Sequence, residues 1–188
     1  AMIRKAGMRL GLQMMIGLPG DNPEHDRTTA EAFVRLGALD ARIYPTLVIR
    51  GTALEQLHHK GEYRVLEMGE AVRRSAEVLR ILEGGGVKVI RLGLHPSEGL
   101  LSGNDLVAGP FHEAFRELVM TEIWAGEFSD LLQAEPGKQL EIHVAPGQFN
   151  FAIGYAAKNK KALLKVYDTV VFYKDDHLKG RELHAHRH

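Results

Sequence analysis

The sequence predicts an α/β fold with parallel strands, followed by a small α+β domain. Up to about residue 100, apolar runs of strand length alternate with segments of helical spacing. That order favours parallel pairing with right-handed crossovers. Beyond Gly103 the pattern changes to a long helical stretch followed by short strands. We therefore predict two domains, residues 1–104 and residues 105–188.

The boundaries of the first strand and helix are marked by turn and cap residues. Met8–Ile16 is an apolar run of strand length, and the turn Gly17-Leu18-Pro19-Gly20 follows it. Asn22 is a favourable N-cap, and Pro23 suits the first position of a helix. Gly37 is a suitable end for that helix.

The next strand and its helix form the most informative stretch of the chain. Ala41–Ile49 is rich in residues that favour strands. Gly51 permits a sharp turn, and Thr52 with Glu55 forms a capping-box pattern ahead of a short helix that Gly61 closes. In α/β proteins, ligand sites lie at the C-terminal ends of strands that are followed directly by a helix.

The remaining elements follow from periodicity. Glu67–Glu83 has the spacing of an amphipathic helix, and Val87–Leu94 resumes as a strand. The second domain is predicted to contain a helical stretch at Phe111–Leu132 broken near Gly126, a strand at Gln139–Val144, a mostly helical region to Leu164, and strands near Tyr167–Tyr173 and Arg181–His186.

Composition excludes several classes of protein. The 188 residues include 24 basic and 24 acidic side chains, so bulk charge does not argue for a nucleic-acid or membrane partner. Cysteine is absent, which excludes a disulfide framework and fits a reducing compartment. No apolar run approaches the length of a membrane span, and no signal peptide is recognisable. These features predict a cytoplasmic protein without a membrane partner.

Several common catalytic motifs are absent from the sequence. It contains no G-x-x-x-x-G-K-[ST] or G-x-G-x-x-G string, so nucleoside triphosphate and dinucleotide binding are not favoured. It also lacks a G-x-S-x-G elbow and an H-E-x-x-H helix, so hydrolase chemistry finds no support.

Several motifs, taken in order, resemble one enzyme superfamily. Arg42–Thr52, with Leu54, Glu55, Leu57, Gly61 and Tyr63 after it, resembles the second half of the radical S-adenosylmethionine (radical SAM) domain of Elongator-subunit-3-like proteins. Gly11–Asp21 is similar to the preceding strand and turn of that family and of oxygen-independent coproporphyrinogen oxidases. Val89–Pro96 and Asp105–His112 resemble the distal segments of bacterial members. The resemblance covers residues 1–125 best.

The resemblance implies a partial (half) TIM-like radical SAM barrel and an enzyme that uses S-adenosylmethionine (SAM) and a 4Fe–4S cluster. Such enzymes hold the cluster with three cysteines in a C-x3-C-x2-C loop, and thiolates are the ligands that clusters require. This chain has no cysteine. We therefore expect a C-terminal fragment that lacks the cluster-binding half and is inactive by itself. A cysteine-free relative that lost the cluster is the less favoured alternative.

The resemblance also implies contacts with the cofactor at the ends of the first two strands. The residues assigned to this role are Gln13, Met15, Gly17, Leu18, Pro19, Tyr44, Pro45, Thr46 and Gly51. The competing interpretation is that the glycine-rich turn only connects a strand to a helix and that the neighbouring apolar residues belong to the core. No catalytic residue is assigned.

Two further groups of polar residues have weaker interpretations. The first is Arg91, His95, Glu98, Asp105 and His112, for which helix capping and loop hydrogen bonds are favoured over a metal or substrate site. The second is Lys158, Lys160, Lys161 and Lys165, which together with Arg91 and Tyr155 suit the phosphate backbone of tRNA. A solvated lysine-rich helix face is the more common reason for such a run.

Three functions are consistent with the sequence, of which two are enzymatic and the third is not. The favoured one is a radical SAM enzyme that abstracts hydrogen from a substrate, with tRNA modification as the candidate process. The second is decarboxylation of coproporphyrinogen, and the third is a non-catalytic module that binds tRNA or a protein. We also expect the fragment to self-associate, because the strands of a half-barrel have unpaired edges.

Overall fold

The structure is a computed structural model that describes residues 2–188, apart from the side chains of residues 4 and 5. It divides into two compact units, of which the first ends at Arg116 and the second spans Glu117–His188. The sequence predicts a division at residues 104 and 105. In the structure residues 105–116 go with the first unit, because strand β5 (Leu106–Ala108) pairs antiparallel with β3 (Val48–Ile49).

The first unit is a mixed α/β structure. Besides β3 and β5 it contains the strands β1 (Gly11–Ile16), β2 (Asp40–Pro45) and β4 (Lys88–Leu92), and the helices α1 (Met2–Lys5), α2 (Pro23–Arg35), α3 (Ala53–His59), α4 (Met68–Gly84) and α5 (Glu98–Leu101). The strands β1, β2 and β4 form a parallel sheet in the order β1-β2-β4. The alternation of strands and helices in the sequence therefore predicts the parallel pairing correctly.

One face of this parallel sheet is covered by α2 and α4. Successive side chains of a strand point to opposite faces, and the covered face carries the buried residues Met14, Ile16, Ala41 and Ile43. Phe33 of α2 is buried in the same core. Burying these side chains is the main stabilisation of the unit, at roughly 1.5–3 kcal/mol for each large apolar side chain.

The predicted strand Ala41–Ile49 is two strands in the structure, which corrects the prediction. β2 ends at Pro45 and β3 begins at Val48. Proline has no N–H to continue a ladder, and the next N–H, that of Thr46, donates to the carbonyl oxygen of Ile16. The chain then leaves the parallel sheet for the separate pair β3–β5, which the sequence did not predict.

The predicted helix starts are confirmed. The side chain of Asn22 accepts hydrogen bonds from the N–H groups of Glu24 and His25, with Pro23 at the first helical position. Thr52 accepts the N–H of Glu55 at 3.3 Å. The capping box differs in one detail: Glu55 accepts the N–H of Gly51 at 2.7 Å rather than that of the cap residue.

The second unit is a small α+β structure. It contains most of α6 (Phe115–Glu127), with α7 (Ser129–Leu132), β6 (Gly137–Val144), α8 (Phe149–Ile153), α9 (Lys158–Leu163), β7 (Tyr167–Lys174) and β8 (Leu183–Arg187). The sheet has the order β7-β6-β8, with β6 parallel to β7 and antiparallel to β8. Trp124 and Phe128 lie in its core, with ring centroids 5.4 Å apart.

The predicted helix Phe111–Leu132 begins later and breaks later than expected. It starts at Phe115 and is interrupted at Phe128, whereas Gly126 lies within α6. Phe128 is fully buried and packs against Phe172, so core packing rather than glycine decides where the helix breaks. Across residues 2–188, no helix combines the length and the apolar character that crossing a membrane requires.

Candidate cofactor-binding site

The ends of β1 and β2 lie side by side at one edge of the parallel sheet. Met15 is the register partner of Tyr44, and Ile16 is the register partner of Pro45. The N–H of Thr46 donates to the carbonyl oxygen of Ile16 at 2.9 Å, which continues the pairing by one residue. The structure therefore brings the predicted strand-end residues of β1 and β2 together.

The face of the sheet opposite α2 and α4 carries several predicted site residues. Gln13 and Met15 project from β1 on this face, and Met15 is 39% exposed. Arg42 and Tyr44 continue the same face on β2 and are half-buried. Parallel sheets are normally covered on both faces, so an exposed methionine and glutamine at this position indicate a surface for a ligand or for further protein.

A cavity of about 430 Å³ lies along β1 and the following turn. Four predicted residues line it, namely Gln13, Met15, Leu18 and Pro19. Met14 lines it as well. Three consecutive residues of a strand reach both faces, so the cavity runs along the unpaired edge of β1. The edge itself suits a further strand, and the exposed side chains of Met15 and Leu18 are available to a ligand.

The turn that begins at Gly17 is fixed from both sides. The N–H of Gly17 donates to Asp21 Oδ2 at 2.8 Å, and its carbonyl oxygen accepts the Tyr63 hydroxyl at 2.6 Å. Burial and the nearby Asp21 carboxylate raise the pKa of Tyr63, so the phenol stays protonated and can donate. Both backbone polar groups of Gly17 are thus used within the protein, and Leu18, which is 45% exposed, is the first residue of the turn available to a ligand.

Arg74 of α4 connects this turn to the core. Its guanidinium donates through Nε to Asp26 and through Nη2 to Asp21 Oδ2, the latter at 2.9 Å. Nη1 lies 3.8 Å from Glu70 Oε1. The side chains of Arg74 and Asp26 are 6% and 4% exposed. One guanidinium therefore faces three carboxylates. Glu70 is 30% exposed and also pairs with Arg64 at 3.2 Å, so Arg74, Asp26 and Asp21 form the buried part of the cluster.

Burial in this cluster changes the pKa of Asp26. Burial, opposed by the hydrogen bond and charge of Arg74, raises the pKa of Asp26 from its ordinary 3.8 to about 6, and Asp21 adds to the increase. Between these two values the folded protein binds a proton that the unfolded chain does not bind. Ionisation of Asp26 therefore disfavours the folded state as pH rises.

We expect the contribution of Asp26 to the free energy of unfolding to decrease between pH 4 and pH 6 and then to stay constant. The decrease is at most about 3 kcal/mol, from about two pKa units at about 1.4 kcal/mol each. Urea unfolding of the unsubstituted chain and of Asp26→Asn across this pH range measures the decrease as the difference between the two pH profiles of stability. Parallel profiles would contradict the expectation.

The remaining predicted residues differ in accessibility. Gly51 lies in an exposed turn at φ 78°, and its N–H is already bonded to Glu55. Pro45 is buried, and Thr46 is only 2% exposed. The Thr46 hydroxyl oxygen is buried without a hydrogen-bond partner among the described residues. A buried hydroxyl without a hydrogen-bond partner is costly. The Thr46 hydroxyl is therefore the polar atom at this edge of the sheet that most clearly indicates a binding role.

The polar group of Arg91, His95, Glu98, Asp105 and His112 lies on strand β4, in loops and near helix starts. Glu98 begins α5, which Ser97 caps, and the Asp105 carbonyl oxygen accepts the N–H of Arg50 at 2.8 Å. His112 Nδ1 accepts the N–H of Ala114 at 2.9 Å, just ahead of α6. Arg91 lies on β4 opposite Arg42. Within residues 2–188, no three histidine or carboxylate side chains are placed to hold a metal ion.

Sequence reasoning gave no place in the site to four residues that hold the Gly17 turn or connect it to the core. These are Asp21, Asp26, Tyr63 and Arg74. Arg74 lies at an apolar position of an amphipathic helix, between Ala71 and Val78 on its buried side. A charged residue at such a position indicates a buried partner, and Asp26 on the facing helix was available to fill that role.

Comparison with known proteins supports the resemblance at the level of the superfamily. Residues 40–125, just under half of the chain, match the model of the radical SAM C-terminal domain. The chain is also 32% identical to an uncharacterized protein of Methanocaldococcus jannaschii over 78 residues. These 78 residues make up 42% of this chain. The matched stretch spans about a quarter of that relative, or 24% of its length.

Proposed function

We propose that this chain is the C-terminal part of a radical SAM enzyme. In this proposal β1, β2 and β4 are strands of a TIM-like barrel, and their C-terminal ends contribute to the SAM site. The observation that carries the proposal is the exposed second face of the parallel sheet, at the ends of strands in or next to the region that matches the radical SAM C-terminal domain. The Elongator-like resemblance favours an RNA base as the substrate.

The chain does not fit the iron–sulfur cluster. It has no cysteine, and clusters are held by thiolates. In this proposal the cluster belongs to a part of the parent outside these 188 residues.

The residues present do fit SAM. Met15 and Leu18 offer exposed apolar surface for an adenine ring, and the Thr46 hydroxyl is a buried polar atom without a partner among the described residues. The fixed Gly17 turn holds Leu18 in place for such a contact. Bound SAM would supply the 5′-deoxyadenosyl radical in the intact enzyme, while these side chains would bind and orient it.

The edges of the sheet support a larger barrel. β1 and β4 are the outer strands of the parallel sheet, and the cavity at β1 runs along the unpaired edge. An unpaired edge accepts another strand. Upstream strands of the parent are the proposed occupants, and self-association of the isolated fragment uses the same edges.

Thr46→Val is expected to weaken SAM binding by the parent about 3- to 10-fold, the value of one lost hydrogen bond. Valine keeps the shape and removes a hydroxyl that has no hydrogen-bond partner in the described part of the chain, so stability should not fall. Ser75→Ala is the matched control, because Ser75 Oγ is likewise buried without a hydrogen-bond partner among residues 2–188 but lies in α4. Isothermal titration with S-adenosylhomocysteine measures the affinity of both variants, each prepared in the anaerobically reconstituted parent.

Equal affinities of the two variants for S-adenosylhomocysteine would show that Thr46 does not contact the ligand. Failure of the reconstituted parent to form 5′-deoxyadenosine from SAM would remove the proposed chemistry. Incubation with coproporphyrinogen III under the same conditions separates the branches, since decarboxylation there would replace RNA as the substrate.

A further inference from the structure

The second unit contains a loop whose backbone is strained. Gly154–Ala157 joins α8 to α9, with φ values of 87° at Gly154, 50° at Ala156 and 59° at Ala157. The left-handed region disfavours alanine by roughly 1–2 kcal/mol per residue. Two alanines in it within one loop mean that surrounding contacts impose the conformation.

Buried polar side chains impose it. The Thr121 hydroxyl accepts the N–H of Tyr155 at 2.7 Å, and Asn159 Nδ2 donates to the carbonyl oxygens of Thr121 and Ala152. Thr121 and Asn159 are 1% and 3% exposed. The loop is therefore held rigidly, with Tyr155 at its start 43% exposed.

A cavity of about 470 Å³ lies beside this loop. Pro146, Asn150, Phe151 and Tyr155 line it, together with the carboxylate-bearing Glu117. Its size is in the range of about 300–1,000 Å³ that small-molecule sites have. An aromatic lining suits the face of a nucleobase, and a carboxylate suits a base amino group rather than a phosphate.

The segment around the loop has a one-sided charge. Residues 142–167 contain four lysines and no aspartate or glutamate. Lys158 lies 3.9 Å from Glu122 of α6, whereas Lys160, Lys161 and Lys165 form no ion pair among the described residues. Lysine charges next to an aromatic cavity match the alternation of phosphate and base in a single strand.

We propose that the loop 154–157, the cavity and the following lysines form a binding site for single-stranded RNA. Phosphates lie along Lys160 and Lys161, and one base enters the cavity against Tyr155. A rigid loop between two helices is a known way to hold four nucleotides of backbone. The Asn150 amide can donate to and accept from a ribose 2′-hydroxyl, which favours RNA over DNA.

The first test changes only charge. Aspartate and asparagine both tolerate the left-handed conformation better than alanine, so Ala156→Asp with Ala157→Asp and its control Ala156→Asn with Ala157→Asn should both fold, as thermal melting will verify. Fluorescence anisotropy with a labelled single-stranded RNA of about 12 nucleotides then measures affinity for the full chain. We expect a loss of at least roughly tenfold for the aspartate pair and a change within about threefold for the asparagine pair.

The second test reverses lysines. Lys160→Glu with Lys161→Glu should lower the salt-dependence slope of log K by about 1.4, for two lost phosphate contacts on a single strand. Lys138→Glu with Lys179→Glu gives the same change in net charge outside the segment and should leave the slope unchanged. DNA of the same sequence should bind more weakly than RNA.

The proposal would be overturned by the absence of RNA binding at low salt, by equal affinities for the aspartate and asparagine pairs, or by equal affinities for RNA and DNA. It would also be overturned if polyglutamate displaced the labelled RNA as well as unlabelled RNA does. The last would assign the surface to an acidic protein. No cofactor is used in these tests, so their failure leaves the radical SAM proposal untouched.

Discussion

Arg74→Ala is expected to lower the free energy of unfolding by about 3–5 kcal/mol, the usual cost of removing one partner of a buried ion pair. Among the described side chains, the Arg74 guanidinium is the cation that pairs with Asp26, and it also holds Asp21, which fixes the Gly17 turn. Without it, Asp26 must be ionised in a buried position or take up a proton. Urea unfolding at pH 7 measures the loss directly.

The chain offers a close control in Arg73, which is the preceding residue of the same helix and is exposed. Arg73→Ala should change stability by no more than about 0.5 kcal/mol. The double variant Arg74→Ala with Asp26→Asn should recover part of the loss, because the uncompensated carboxylate is gone. The cost of Arg74→Ala should also decrease at pH 5, where Asp26 is protonated. Equal losses for Arg73 and Arg74 would show that the cluster contributes nothing.

The parts of the fold that depend on local sequence were predictable. Asn22 with Pro23 and Thr52 with Glu55 identify helix starts correctly, because capping involves residues within three positions of each other. The parallel order of β1, β2 and β4 also follows from the alternation of strands and helices. The predicted site residues Met15 and Tyr44 lie next to each other in this sheet, although the exact register is seen only in the structure.

The parts that depend on distant contacts were not predictable. Arg74 and Asp26 are 48 positions apart, and the sequence around either residue does not indicate that the other is its partner. The pairing of β3 with β5 joins two very short strands whose sequences carry little periodicity. The left-handed Ala156 and Ala157 contradict local preference and exist only because Thr121 and Asn159 hold the chain there.

Gly17→Ala is the second substitution with a large expected effect. Gly17 has φ 83°, and a Cβ at this position would lie 2.5 Å from Leu66 Cδ1. The left-handed backbone costs roughly 1–2 kcal/mol for alanine, and the clash with a buried leucine adds about 1–3 kcal/mol. We therefore expect a total loss of about 2–5 kcal/mol, measured by urea unfolding.

Gly20 separates these two contributions because it lies in the same turn. It has φ 77°, and a Cβ there would meet no atom within 4 Å. Gly20→Ala should therefore cost only the backbone term of roughly 1–2 kcal/mol. If Leu66 is the obstacle, Gly17→Ala combined with Leu66→Ala should cost less than the sum of the single substitutions. Additive losses, or equal losses at Gly17 and Gly20, would mean that backbone conformation alone requires glycine at the start of this turn.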